Sequence, residues 1–409
     1  MIASVLYNAA IVVLPFLFVL TLVVTVHELG HFLVARWLGV AVDRFAIGFG
    51  RSLVKWTDRS GVEWRVGWIP LGGYVRFAGD AEASSTVPDG DDLQRLRGEI
   101  VAREGVGAER KYFHFKPVWV RALVVAAGPV ANFILSITLF AVLLAAIGET
   151  VHRPRVSEVE PGSPAAAAGF LPGDVVTAID GRRIDDFMEL RQFVTLRAGL
   201  PIRFGVDREG RSLELTATPE RRVQVDGLTG ASAKLGVLGL KSSARPEDVY
   251  RKHYGPIQAV AGGVKRTWDI LDTTVFYLGR LVRGLESGDQ LGGPLRIAAT
   301  STAAAKAGAF GAADLGGKLL GGGVALLGLA AVLSVGIGFM NLLPVPVLDG
   351  GHLLFYAWEA VARRPLGARI QAAGYRVGLA LLLGLMLFAT WNDLQQLSVF
   401  KHGFFGLFS

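Results

Sequence analysis

His27-Glu28-Leu29-Gly30-His31 stands in a stretch with almost no other charge. Residues 1–26 contain no Lys, Arg, Asp or Glu, and beyond the motif the chain turns apolar again through Leu33, Val34, Trp37 and Leu38. On a helix, positions i and i+4 lie about 40° apart around the axis, so His27 and His31 project from one face. Two imidazoles on one face can grip a zinc ion, and a carboxylate beside the first can act as a general base. A surface helix would leave such a pair merely solvated. Inside an apolar span that bland reading fails, because ionisable groups at membrane depth are costly and mark function.

Composition bounds the rest. Of 409 residues, 51% are hydrophobic and only 19% charged, a balance that places the chain among membrane proteins, with the lipid bilayer as a partner. There is no cysteine, which excludes disulfides, thiolate zinc sites and cysteine nucleophiles. Any metal must be held by His, Asp or Glu. The net charge of +7 is what Arg and Lys in cytoplasmic loops produce. No basic run with interleaved aromatics points to nucleic acid, which is not expected as a partner. The N-terminal apolar run lacks a basic n-region and is too long for a signal-peptide h-region, so it reads as a retained transmembrane helix.

Four segments are long and apolar enough to span: about 5–37, 118–147, 320–343 and 373–391. The loop after the first carries Arg44, Arg51, Lys55, Arg59, Arg65, Arg76 and further basic residues, and the loop after the third carries Arg363, Arg364, Arg369 and Arg376. The positive-inside rule puts both loops in the cytoplasm and both termini outside, which makes the long 148–318 segment extracytoplasmic. Within the first loop, Val62, Trp64, Val66 and Trp68 alternate with Glu63, Arg65 and Gly67, a half-buried strand. Asp58-Arg59-Ser60-Gly61 is a turn signal, and Leu53 to Trp56 can be the partner strand. Ile69 to Arg76 reads as an edge strand interrupted by Pro70, Gly72 and Gly73, either a structural sheet or an edge that binds an extended chain by strand addition. Residues 80–110 are weakly patterned and are expected to form a loop.

The outer segment opens with a compact module. Arg155 to Val159 and Val175 to Ile179 read as strands, Phe187 to Leu196 as a helix, and two alternating runs (Ile202 to Val206, Leu213 to Ala217) flank the turn Arg208-Glu209-Gly210 as a hairpin. This order, with Gly162-Ser163-Pro164-Ala165, Gly173-Asp174-Val175-Val176 and Ile179-Asp180-Gly181, resembles a PDZ domain, a module that binds peptide termini at a sheet edge. Leu235-Gly236-Val237-Leu238 would match its peptide-binding loop. One copy is present. Then Ile257, Val260, Val264, Trp268, Leu271, Val275, Leu278, Val282 and Leu285 recur at three- and four-residue steps, an amphipathic helix that packs on the module, lies on the outer leaflet or forms a gate that controls substrate entry.

Two histidines do not make a catalytic zinc site, which needs a third protein ligand and an open position. The stretch Asn341-Leu342-Leu343-Pro344-Val345-Pro346-Val347-Leu348-Asp349-Gly350-Gly351-His352 offers one. Pro344 and Pro346 end the third span, and the glycine pair allows a tight turn. Asp349 on that turn is placed to be a ligand, and His352 competes with it. By charge, this turn and His31 fall on the same side of the membrane.

The two motifs together, His27-Glu28-x-x-His31 and Asn341-x-x-Pro344-x-Pro346-x-Leu348-Asp349-Gly350-Gly351-His352, resemble the site-2 proteases, intramembrane zinc metalloproteases. The single PDZ-like insertion and four-span layout resemble the bacterial regulator-of-sigma-E-protease branch, as do Gly72-Gly73-Tyr74-Val75-Arg76, Ala127-Gly128-Pro129-Val130-Ala131-Asn132 and Gly292-Gly293-Pro294-Leu295-Arg296-Ile297-Ala298. The resemblance implies that His27, His31 and Asp349 bind Zn2+, that Glu28 is the catalytic base, and that Asn341, Gly72, Gly73 and Tyr74 contact substrate, the last three in a hairpin over 48–76. It implies a bacterial inner-membrane protein that cleaves single-span substrates, such as an anti-sigma factor or a remnant signal peptide. Gly128 and Asn132, at i and i+4, are expected to serve close helix packing. A non-catalytic scaffold that binds peptide termini, or a metal transporter, are the competing readings; a carboxylate beside the first histidine and the almost wholly apolar spans argue against them.

The expected architecture is a polytopic α-helical membrane protein with about four transmembrane helices, a cytoplasmic membrane-associated β-hairpin and an extracytoplasmic α+β PDZ-like domain. Its expected divisions are a first membrane half (1–150), the PDZ-like domain (151–242), an extracytoplasmic helical region (243–318) and a second membrane half (319–409).

Overall fold

In the computed structural model, residues 2–79, 90–225, 232–243, 245–286, 288 and 291–396 are described. The chain divides into two compact units. The first comprises residues 1–140, 262–274 and 293–391 and holds most of the long apolar helices. Helices α1 (Ile2–Trp37), α3 (Val118–Ala146), α8 (Leu315–Asn341) and α10 (Ala368–Gln396) each contain a stretch of 27 to 29 residues long and apolar enough to cross a membrane. They carry the four expected spans. Asp314 starts α8 by accepting a hydrogen bond from the Gly317 N–H, the usual device for a helix N-terminus.

In lipid, helices gain little from burying apolar side chains against one another, so close backbone approach does the packing. Here glycines supply it. A Cβ on Gly30 of α1 would fall 2.3 Å from the Ala127 carbonyl oxygen of α3. A Cβ on Gly308 would fall 2.2 Å from the Gly321 carbonyl oxygen, which joins α7 (Pro294–Ala309) to α8. Val19 and Val23 of α1 and Leu326 and Ala330 of α8 form the buried seam, with Leu135 and Leu139 of α3 packed on it.

Strands β1 (Val42–Thr57) and β2 (Glu63–Phe77) form the hairpin. Asp58 shapes its turn by accepting from the N–H groups of Ser60 and Val62 at 2.8 and 3.1 Å. The expected pairing of 53–56 with 62–68 is present as Val54 opposite Val66 and Trp56 opposite Trp64. The strands are longer than expected, however. β1 runs back to Val42, and β2 continues unbroken through Pro70, Gly72 and Gly73. Both strands bend, so Phe45 opposes both Trp64 and Val75, and Ile47 opposes both Val66 and Gly73. Glycine makes this doubling possible: a Cβ on Gly73 would fall 2.5 Å from the Ala46 carbonyl oxygen.

Of the expected loop over 80–110, residues 80–89 lie outside the described residues, but Gly90–Glu104 is a helix, α2. Leu96 and Ile100 of α2 pack with Ala78 and Tyr112. Leu93, Leu96, Ile100 and Val101 do fall at helical spacing, a signal that the charged, glycine-containing composition of the stretch obscures. A further helix, α9 (Asp349–Ala362), is tied to the start of α3 by the Arg121–Glu359 ion pair at 2.6 Å.

The second unit comprises residues 141–261, 275–292 and 392–409. Strand β3 (Glu149–His152) pairs with β12 (Val249–Lys252), and β4 (Val156–Val159) with β11 (Leu240–Ser242). After the short α4 (Pro164–Ala167), strands β5 (Val175–Ile179), β6 (Arg182–Arg183), β7 (Ile202–Arg208) and β8 (Arg211–Ala217) form an antiparallel sheet in the order β6-β5-β7-β8. Helix α5 (Phe187–Thr195) joins β6 to β7, and β7 and β8 are the expected hairpin. Phe170, Val176, Ile179, Leu190, Ile202 and Phe204 fill the core. Strands β9 (Glu220–Val225) and β10 (Ser232–Val237) pair with each other. Leu235 to Val237, expected in a loop, therefore lies in a strand. Its Gly236 sits so close to α5 that a Cβ would fall 2.4 Å from the Val194 carbonyl oxygen. The amphipathic helix is α6 (Pro256–Val282), whose ends lie in this unit. Its stripe faces outward: Ile257, Val260, Val264, Trp268, Val275 and Val282 are all exposed.

Asp174, buried at the start of β5, accepts from Arg208 at 2.7 and 2.8 Å and from the Leu171 N–H at 2.9 Å. Burial pushes its carboxyl up, but these bonds outweigh burial and hold it below the usual carboxylate value. A folded value below the unfolded one adds stability that is present above the unfolded value, near 4, and is lost as pH falls through the folded one. Amide protection of β5 and β7 by hydrogen exchange should therefore fall at acid pH. Asp174→Asn should lower it at neutral pH by about 3 kcal/mol and flatten the acid limb.

Candidate metal centre

His27, Glu28 and His31 lie two turns before the end of α1, and Asp349 is the first residue of α9. The helical pitch does what the spacing suggests: His27 Nε2 and His31 Nε2 are 3.2 Å apart. Asp349 Oδ2 lies 3.1 Å from the first and 3.6 Å from the second. Among the described residues these three are the His, Asp or Glu group able to hold a metal ion. His352 is not part of it; its Nδ1 lies 3.3 Å from the Tyr375 hydroxyl. Of the two candidate third ligands, Asp349 lies within reach of both imidazoles, while His352 lies beside Tyr375.

The donor set fits zinc. Tetrahedral zinc with nitrogen and oxygen ligands at roughly 2.0–2.2 Å requires donors roughly 3.3–3.5 Å apart, and the three edges here are 3.1, 3.2 and 3.6 Å. Asp349 Oδ2 is buried and has no hydrogen-bond partner among the described residues, an arrangement that is costly unless a cation satisfies the atom. Three protein donors also leave a fourth tetrahedral position, which a catalytic zinc needs and a structural one does not.

Local backbone explains how Asp349 arrives there. Helix α8 ends at Asn341, before Pro344 and Pro346. Val347 then takes φ 103°, a sterically unfavourable conformation for a β-branched residue, and α9 begins at Asp349. Gly350 and Gly351, expected in a turn, lie instead in the first turn of α9. Their missing side chains let the helix start touch the backbone before it: a Cβ on Gly350 would fall 2.3 Å from the Leu342 and Leu343 carbonyl oxygens, and one on Gly351 2.5 Å from that of Val345.

Helix α3 forms the back wall. A Cβ on Gly128 would fall 2.3 Å from His31 Nε2 and 2.8 Å from His27 Cε1, so only glycine leaves room for the two imidazoles. His31 Nδ1 lies 2.8 Å from the Val124 carbonyl oxygen, which holds the ring proton on Nδ1 and frees Nε2. His27 Nδ1 lies 3.2 Å from the Asn132 amide. Gly128 and Asn132 therefore do more than pack helices. Their sequence signal was an Asn and a Gly, with Val124, at four-residue steps along an apolar span. On the opposite side, Glu28 is hydrogen-bonded by the backbone of Val75 in β2. Asn341 Nδ2 lies 3.3 Å from His27 Nε2. Gly72 and Gly73 lie in β2 near Val24 and Glu28, and the Tyr74 hydroxyl accepts from Arg44 at 3.4 Å. A cavity of about 650 Å³ opens among His27, Glu28, His31, Asn341, Asp349 and Tyr356.

Two histidines and an aspartate around one point, with a carboxylate beside them in a bundle of apolar helices, define a membrane-embedded metallohydrolase. The model of peptidase family M50 matches residues 15–385. Metalloprotease MmpA of Caulobacter vibrioides is 51% identical over 396 residues, 96% of this chain and 97% of that one. The regulator of sigma-E protease RseP of Salmonella typhimurium is 30% identical over 492 aligned positions, 96% of this chain and 100% of that one. A solved PDZ domain of an SdrC-like protein from Listeria innocua aligns with 23% of this chain and 96% of that one at 17% identity and a TM-score of 0.19. The chain belongs to peptidase family M50, the site-2 proteases, and is a zinc metalloendopeptidase.

Gly128→Ala should displace the imidazoles. Its zinc content, measured on purified protein, should fall by roughly tenfold or more, while the helical circular dichroism stays that of the wild type.

Proposed function

We propose that this protein hydrolyses peptide bonds within the membrane, with His27, His31 and Asp349 as zinc ligands and Glu28 as general base. The observation that carries the reading is the convergence of His27, His31 and Asp349 donors from α1 and α9 at 3.1–3.6 Å, with Glu28 in the same cavity. Zinc supplies a Lewis acid that makes water acidic near neutral pH and polarises a carbonyl. Glu28 takes a proton from the attacking water as its oxygen bonds to the scissile carbonyl carbon. When the carbon–nitrogen bond breaks, Glu28 returns that proton to the leaving amine, so the carboxylate is regenerated. Val75, which hydrogen-bonds Glu28, orients the carboxylate. Asn341, beside His27, has amide donors within reach of a substrate carbonyl.

A helical substrate hides its backbone bonds and must be extended to be cut. Strand β2, next to Glu28, offers an edge at which an extended chain can replace its lost helical hydrogen bonds, and Gly72, Gly73 and Tyr74 lie along it. The substrate class we propose is a single-span membrane protein already shortened on its outer side, of the anti-sigma-factor or remnant-signal-peptide type. The element order of residues 151–242 supports a PDZ-like module that binds peptide termini, and the outward apolar stripe of α6 supports contact with lipid. We place the protein in the bacterial inner membrane with both termini outside, on the charge of its loops.

Glu28→Gln should keep its zinc and lose cleavage of a transmembrane substrate in detergent by at least about a thousandfold. Cleavage that survives this substitution overturns the mechanism. His31→Ala and Asp349→Asn should each reduce bound zinc by mass spectrometric metal analysis; full zinc in Asp349→Asn removes it from the ligand set.

A further inference from the structure

We infer that Asn132 is a positioning residue of the metal centre: its side-chain carbonyl accepts the Nδ1–H of His27 and so keeps His27 Nε2 bare toward His31 and Asp349. The inference rests on His27 being a ligand, as proposed above.

Geometry sets the problem. His27 Nε2 faces His31 at 3.2 Å and Asp349 at 3.1 Å. A ring that ligates through Nε2 carries its proton on Nδ1, and at this depth that N–H requires a protein acceptor. The group beside Nδ1 is the Asn132 amide, 3.2 Å away and fully buried. As placed, Nδ2 faces the ring and Oδ1 is buried without a hydrogen-bond partner among the described residues. Which amide atom faces an imidazole is decided by the ring's tautomer. For the ligating tautomer it is Oδ1.

The neighbouring histidine is handled the same way. His31 Nδ1 lies 2.8 Å from the Val124 carbonyl oxygen. Val124, Gly128 and Asn132 are spaced four residues apart, so one face of α3 presents an acceptor for each ring, with a glycine between them that leaves room for both. Asn132 is itself pinned. Its backbone carbonyl accepts from Ser334 Oγ of α8 at 2.8 Å, and Gly338 lets α8 approach, since a Cβ there would fall 3.1 Å from Asn132 Cβ. Packing alone would be served by an apolar residue of this size at far lower cost than a buried amide in an apolar span.

The test is a zinc titration by chelator competition on the full-length protein in detergent. Asn132→Leu keeps the volume and removes the acceptor; Asn132→Asp keeps both. Asn132→Leu should weaken zinc binding by roughly 10–100-fold, and Asn132→Asp should restore it to near the wild-type value. Wild-type affinity in Asn132→Leu, or no recovery in Asn132→Asp, overturns the role. Should Asn132→Leu fail to fold, Asn132→Ala is compared with Asn132→Asp by the same criterion. His27→Ala in the same titration separates the two levels. Unchanged affinity there overturns the ligand set and this inference with it. A large loss there beside an unaffected Asn132→Leu overturns the Asn132 assignment alone.

Discussion

His27 Nε2 and Asp349 Oδ2, 3.1 Å apart, face each other from helices far apart in sequence, in surroundings with little water to solvate them. Each is affordable at this depth only with its partners close by. Several close backbone approaches in the membrane unit serve that condition. Gly30 brings α1 onto α3, Gly128 makes space for both rings, and Gly350 and Gly351 bring the start of α9 onto the loop before it.

The parts of this arrangement that could be read from the residues are those whose signal is periodic or compositional. His27 and His31 were legible because i, i+4 spacing maps directly onto a helix face. The four spans were legible because length and apolarity are summed over some twenty residues. Asp349 was legible as a candidate beside His352, and only the fold separated them, since one turn of α9 turns His352 toward Tyr375. The full role of Asn132 was not legible. An Asn in an apolar helix announces a constraint, but which neighbour it serves depends on how α1 and α3 cross, and nothing local encodes that. Helix α2 escaped notice for a different reason: its apolar residues Leu93, Leu96, Ile100 and Val101 are few among charged neighbours, and of its described side chains only Ile100 is fully buried.

The two relatives differ in how they bear on the second unit. With MmpA of Caulobacter vibrioides the match runs nearly end to end in both chains over 396 residues. With RseP of Salmonella typhimurium the 492 aligned positions exceed the 409 residues of this chain, so that relative carries residues with no counterpart here. Among the described residues, β4–β11 surround one core around Phe170, Ile179, Ile202 and Phe204. Whatever those additional residues contribute in that relative cannot be transferred to this chain residue by residue.

The hairpin ties the site to a register. In a strand, neighbouring side chains point to opposite faces, so a slip of one residue would exchange them. Val75 is buried against Phe45 and its backbone hydrogen-bonds Glu28, while Gly73 sits against the Ala46 carbonyl oxygen, where a side chain could not fit. A one-residue slip of β2 would put Tyr74 or Gly72 at the Gly73 position, and Tyr74 cannot enter it. The register is pinned a second time at the far end, where Trp56 and Trp64 stack with ring centres 5.8 Å apart next to the turn that Asp58 closes. Neither pin touches the metal ligands. Together they determine which backbone N–H meets Glu28, so the position of the carboxylate depends on packing at the opposite end of the sheet.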